Sequence, residues 1–119
     1  MDFNNFAQVY AKLNTAQKQA VDEIYGPMFV LAGPGTGKTQ LLSARAANIL
    51  KLTDADPQNI LCLTYTEAGA TAMRQRMASI IGADAYKINV MTFHGFALDV
   101  ASTFSDYFLD TLGFAPIDE

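Results

Sequence analysis

The sequence predicts an α/β fold, a parallel sheet with helices on its faces. Three observations predict it. Short, largely apolar runs stand at residues 28–32, 60–64 and 88–92. Each has the length of a strand buried between covering layers. The stretches between them repeat apolar residues at helical spacing, and such alternation implies parallel strands joined by right-handed crossovers.

The elements follow in order. Residues 15–25 read as a helix, with Ala16, Ala20, Val21 and Ile24 on one face. Residues 28–32 (MFVLA) are the first strand and break into glycine. Residues 39–51 read as a helix, with Leu42, Ala46, Ile49 and Leu50 at i, i+4, i+7 and i+8. Residues 53–59 (TDADPQN) form a loop marked by Asp, Pro and Asn. Residues 60–64 (ILCLT) are the second strand. Residues 67–81 are a helix that buries Ala70, Met73, Met77 and Ile80 and leaves Arg74 and Arg76 to a solvated face. Gly82 is placed to end it. Residues 88–92 (INVMT) are the third strand, and a helix from Phe96 to Leu112 is stopped by Gly113 and Pro116.

Composition narrows the class. The chain has 119 residues, about one domain at ~100–200 residues each. Half of it is apolar, enough to bury a core. Eight basic residues against 12 acidic ones give a net charge of −4, unlike a free-standing basic nucleic-acid binder. All the basic residues lie in 1–94, where the net charge is +1, whereas 95–119 carries five acids and no base. Cys62 is alone, so no intramolecular disulfide or cysteine zinc cluster forms, and it reads as a small core residue. No run approaches the ~20 apolar residues of a membrane span, and the N-terminus lacks a signal-peptide core. A cytoplasmic protein without a membrane partner is expected.

The strongest local signal is Ala32-Gly33-Pro34-Gly35-Thr36-Gly37-Lys38-Thr39, a P-loop with Ala at its first position. A strand precedes it and a helix begins at its Lys-Thr, as phosphate cradling requires. Gly33, Gly35 and Gly37 permit a tight turn whose N–H groups point inward at phosphate. The helix N-terminus adds positive potential there. Lys38 is expected to reach the β- and γ-phosphates, and Thr39 to place its hydroxyl on Mg²⁺.

Ligands of parallel α/β sheets bind outside the carboxyl ends of the strands. The second strand leaves at Thr64-Tyr65-Thr66 and the third at Thr92-Phe93-His94-Gly95. Each loop carries a ring flanked by a hydroxyl, a set that suits single-stranded nucleic acid through stacking and phosphate contacts. Tyr65 and Phe93 also fit as core aromatics, and His94 as a capping or core histidine. A metal site at His94 has neither a second His nor a Cys partner.

Together these stretches resemble the superfamily 1A DNA helicases of the UvrD/Rep/PcrA type. Leu13-Asn14-Thr15-Ala16-Gln17-Lys18-Gln19-Ala20-Val21 is similar to that family's Q motif, L-N-x-x-Q-x-x-A-V. The loop AGPGTGKT is a common family form. Residues 60–66, with Ala70, Met73, Arg74 and Arg76, resemble motif Ia, and residues 90–97 resemble motif Ib. The resemblance implies a RecA-like P-loop NTPase sheet over residues 1–95, incomplete, followed at 96–119 by the start of an inserted helical subdomain. It implies that Gln17 reads the adenine edge, and that Ala32 to Gln40 hold ATP and Mg²⁺ with Lys38 and Thr39 as the catalytic pair. It places Thr64, Tyr65, Thr66, Thr92, Phe93 and His94 on a single-strand track. It also implies ATP hydrolysis coupled to 3′ to 5′ translocation and duplex unwinding, with the rest of the helicase chain as partner.

Two departures stand out. Glu67-Ala68 occupy the place of the family's usual Asn-Lys, which removes a cation from the track and adds repulsion. Gln40 stands where many members have Arg. No Walker B strand is read in the chain; the nearest candidate, Tyr107-Phe108-Leu109-Asp110, lies in a helical pattern followed by Thr111. The chain therefore reads as an N-terminal portion with little ATPase of its own, its unpaired sheet edge prone to self-association. Two alternatives are a small P-loop kinase with Asp110 or another acid serving magnesium, and a non-catalytic nucleotide-binding module.

Overall fold

The computed structural model describes residues 1–32 and 37–107. Among them it holds five α-helices and a two-stranded parallel sheet, a small α/β arrangement. The expected helix end at 108–112, with Gly113, Pro116 and the acids Asp110, Asp118 and Glu119, lies outside the described residues.

Helix α1, Asn4–Ala11, is an element the periodicity reading did not foresee. It buries Phe6 alone and packs Val9 and Tyr10 more loosely. Helix α2, Thr15–Asp22, opens on a capping box. The Asn14 side chain accepts from the Gln17 N–H and the Gln17 side chain accepts from the Asn14 N–H, each at 2.9 Å. It stops three residues short of the expected 25, where Glu23 leaves helical backbone at ψ 85°.

Helix α3 spans Lys38–Leu52. Its buried face is Leu41, Ala44, Ala47 and Leu50 with Ser43, Ala46 and Asn48. Leu42, expected in the core, is exposed, and Ile49 is half-buried; both line a groove beside the sheet. The small side chains of α3 let α4 approach closely. Ser43 Oγ there donates to the Thr39 carbonyl at 2.7 Å and meets Met73 Sδ at 3.2 Å.

Strands β1, Leu61–Thr64, and β2, Asn89–Thr92, pair in parallel, with Leu61 opposite Asn89 and Thr64 opposite Thr92. Helix α4, Glu67–Ile81, joins them and supplies Ala70, Met73, Met77, Ile80 and Ile81 to the core. Gly82 ends α4 at φ 85°, ψ −160°, a region open essentially only to glycine. Helix α5, Phe93–Thr103, starts three residues before the expected Phe96 because Thr92 caps it.

The expected strand at 28–32 is not one. No described segment forms a ladder with it, since β1 hydrogen-bonds only to β2. A strand without a hydrogen-bonded neighbour is not a strand, however apolar its sequence. Phe29 and Leu31 stand more than four-fifths exposed, while Met28, Val30 and Ala32 line a cleft against α3.

Candidate nucleotide and nucleic-acid site

The parallel register decides the first feature. Because Thr64 and Thr92 are partners, the chain leaves both strands at the same level. Tyr65 and Phe93 therefore meet, with ring centroids 5.1 Å apart and planes at 44°. Tyr65 is 90% exposed and Phe93 48%, which removes both from the core and makes them a surface pair.

The turns beneath the rings are built twice from one pattern. Thr66 caps α4 by accepting from the Gly69 N–H at 2.9 Å, and Thr92 caps α5 by accepting from the Gly95 N–H at 2.9 Å. A Cβ on either glycine would lie 3.1 Å from that threonine oxygen, so glycine keeps both caps unstrained. Thr64 Oγ1 donates to the Thr66 carbonyl at 3.1 Å. Thr92 is buried, so its hydroxyl works as a cap beneath the surface. Thr66 and His94 are exposed, and Thr64 is half-buried.

Charge at this surface is not basic. Glu67 occupies the first turn of α4, where a carboxylate is favoured by the helix dipole. Arg74 does not lie on a solvated face. It is half-buried, and its guanidinium donates to the Val90 carbonyl of β2. Arg76 stays exposed as expected.

The second feature lies at the N-terminus of α3. Gly33, Pro34, Gly35 and Thr36 fall outside the described residues. Gly37 caps the helix at φ 76°, a left-handed conformation that a side chain would strain. Lys38 and Thr39 follow, exposed, in the first turn, where N–H groups lack acceptors within the helix and favour an anion. Gln40 is half-buried. Lys38 lines a cleft of about 220 Å³ with Met28, Val30, Ala32 and Leu41. Gln17 lines a neighbouring cleft of about 230 Å³, and Val30, Ala32 and Leu41 belong to both walls. The structure thus brings the start of α2 and the start of α3 to one apolar wall. The capping box already engages Gln17 Oε1 and so fixes its amide.

Two polar residues of α3 passed unnoticed in the sequence. Asn48 Nδ2 donates to the Val21 carbonyl at 2.9 Å, and Arg45 donates to the Glu23 carbonyl at 3.0 Å. The available signal was Asn48 itself, a polar residue inside an apolar period. Cys62 is half-buried, and its burial raises the thiol pKa. Tyr10 donates to the Asp22 carboxylate at 2.9 Å, and this hydrogen bond raises the phenol pKa. No cluster of three metal-ligating side chains occurs among the described residues. The exposed Thr39 hydroxyl is a hard oxygen donor that suits Mg²⁺ as one ligand among waters and phosphates. No helix among the described residues is long and apolar enough to cross a membrane.

Known proteins match most of the chain. The family model of the UvrD/REP helicase N-terminal domain matches residues 13–107. A probable DNA helicase II homolog of Rickettsia conorii is 46% identical over 85 residues, covering 71% of this chain and 13% of that protein. DNA helicase II of Rickettsia typhi is 42% identical over 88 residues, 74% of this chain and 13% of the relative. The ATP-dependent DNA helicase PcrA of Staphylococcus aureus is 36% identical over 88 residues, 74% of this chain and 12% of the relative. The matched stretch is thus about an eighth of these relatives' length.

Proposed function

Because the chain belongs to the UvrD/REP helicase N-terminal domain family, we propose that it is the ATP- and single-stranded-DNA-binding portion of such a helicase. In the whole enzyme, ATP hydrolysis would drive 3′ to 5′ movement along one strand and open the duplex ahead, in the cytoplasm. The family assignment sets the small-kinase reading aside. The observation that carries the proposal is the shared wall of Val30, Ala32 and Leu41, with Lys38 on one side and Gln17 on the other.

On this reading Lys38 neutralises the β- and γ-phosphates, and the first-turn N–H groups of α3 add donors. The resemblance assigns the motif residues Gly33, Pro34, Gly35, Thr36 and Gly37, with Gln40 after Thr39, to nucleotide binding. Thr39 holds Mg²⁺, which when bound screens phosphate charge. Gln17 would face the adenine, its side-chain amide offering an N–H donor and a carbonyl acceptor to the base edge. Tyr65 and Phe93 stack bases, with Thr64, Thr66 and His94 at the rim and Thr92 holding the turn below. The expected division between residues 95 and 96 falls inside α5, so a second, helical unit would begin within that helix.

This chain alone should bind nucleotide and turn it over slowly. Neither described strand ends in an acidic pair, since β1 runs into Tyr65-Thr66 and β2 into Phe93-His94. Hydrolysis needs a carboxylate for magnesium and water. Phosphate-release assays of the purified chain test this: release at background is expected, and robust single-strand-stimulated turnover would contradict it.

A further inference from the structure

We propose that Asn48 and Arg45 are positioning residues for base recognition, acting on Gln17 through the helix that carries it. The inference rests on the adenine role given to Gln17 above.

Helix α2 is eight residues long and ends without a basic residue in its last turn. Its last carbonyls have no acceptor-seeking N–H within the helix and need outside donors. Two are supplied from one helix. Asn48 reaches the Val21 carbonyl at 2.9 Å and Arg45 reaches the Glu23 carbonyl at 3.0 Å. Asn48 is 5% exposed and Val21 fully buried, so water cannot replace the first bond. Arg45 Nε is buried with no hydrogen-bond partner, while its Nη2 reaches the Glu23 carbonyl at the exposed end of α2.

Geometry turns the clamp into a register. Val21 lies one turn beyond Gln17, so fixing its carbonyl fixes the axial place of Gln17. One residue of slip would move Gln17 by about 1.5 Å along α2, more than an amide–base hydrogen bond tolerates. Lys38 begins the helix that bears Asn48. The phosphate end and the base end of the site are therefore set against each other through α3.

The test measures binding of ATP, GTP and inorganic tripolyphosphate, each with Mg²⁺, to the full chain by calorimetry. Asn48→Leu keeps the volume and removes the donor. Arg45→Met keeps the stem, and Arg45→Lys restores a cationic donor. Asn48→Leu and Arg45→Met should each lower the ATP-over-GTP preference roughly tenfold, about the factor of one net hydrogen bond. Tripolyphosphate affinity should stay within twofold, and Arg45→Lys should recover most of the preference. Equal loss for all three ligands, or no loss of preference, would overturn the proposal. Should Asn48→Leu not fold, the Arg45 pair decides alone. Gln17→Ala runs beside them: if it leaves the preference intact, the adenine reading itself fails. If it removes the preference while the α3 variants keep it, only the clamp fails.

Discussion

The rings of Tyr65 and Phe93 lie 5.1 Å apart, centroid to centroid, although 28 positions separate them in sequence. The in-register pairing of Thr64 with Thr92 sets this distance. Each ring offers a face to solvent, and bases stack on such faces without regard to sequence. Tyr65→Ala and Phe93→Ala should each weaken binding of an oligo-dT strand by about 1–3 kcal/mol, roughly 5- to 150-fold. Fluorescence anisotropy checks this, with circular dichroism to show that the exposed Tyr65 site leaves the fold intact.

The capping box of α2 should be visible in stability. Asn14→Ala removes an acceptor from the Gln17 N–H and should cost about 1 kcal/mol in urea unfolding. Asn14→Ser should retain most of it. An equal loss for both would point to a contact other than the cap.

Gly82 offers a backbone test free of packing. Its φ of 85° is strained for any side chain, yet a Cβ there would meet nothing within 4 Å. Gly82→Ala should therefore cost about 1–3 kcal/mol, all of it conformational. A neutral substitution would mean that α4 ends differently in solution.

Cys62 makes a prediction in pH. Burial raises its thiol pKa in the folded state, so folding favours the neutral form. That contribution is complete below the unfolded pKa and is lost as pH rises through the higher folded one. Alkylation by iodoacetamide at pH 8 should be slower for the folded chain than for the urea-unfolded chain. Cys62→Ala should flatten the alkaline fall in stability.

Much of the fold was legible because periodicity reports burial. The apolar positions of α4 and the strands β1 and β2 follow from their sequences, and Gly82 marked the end of α4. Three features were not legible, each for a physical reason. Residues 28–32 carry strand chemistry, but strand identity resides in a hydrogen-bonded neighbour that sequence pattern does not show. Helix α1 buries only Phe6, too narrow a stripe to register as a period. Leu42 followed the helical spacing, but Leu41 holds the core position and Leu42 faces the open groove. At the site, the opening of the Tyr65 and Phe93 loops on one edge followed from the expected parallel strands, whereas the contact between the two rings did not. The bonds of Asn48 and Arg45 to the end of α2 did not either: Asn48 is polar inside an apolar period, but nothing local names its partner.

The central claim is nucleotide binding at the start of α3. Titration of the chain with a fluorescent ATP analogue and Mg²⁺ tests it most directly, comparing wild type with Lys38→Ala. Saturable binding that falls at least tenfold on Lys38→Ala, with unchanged unfolding, is the predicted result. Binding of equal strength in both proteins would contradict it.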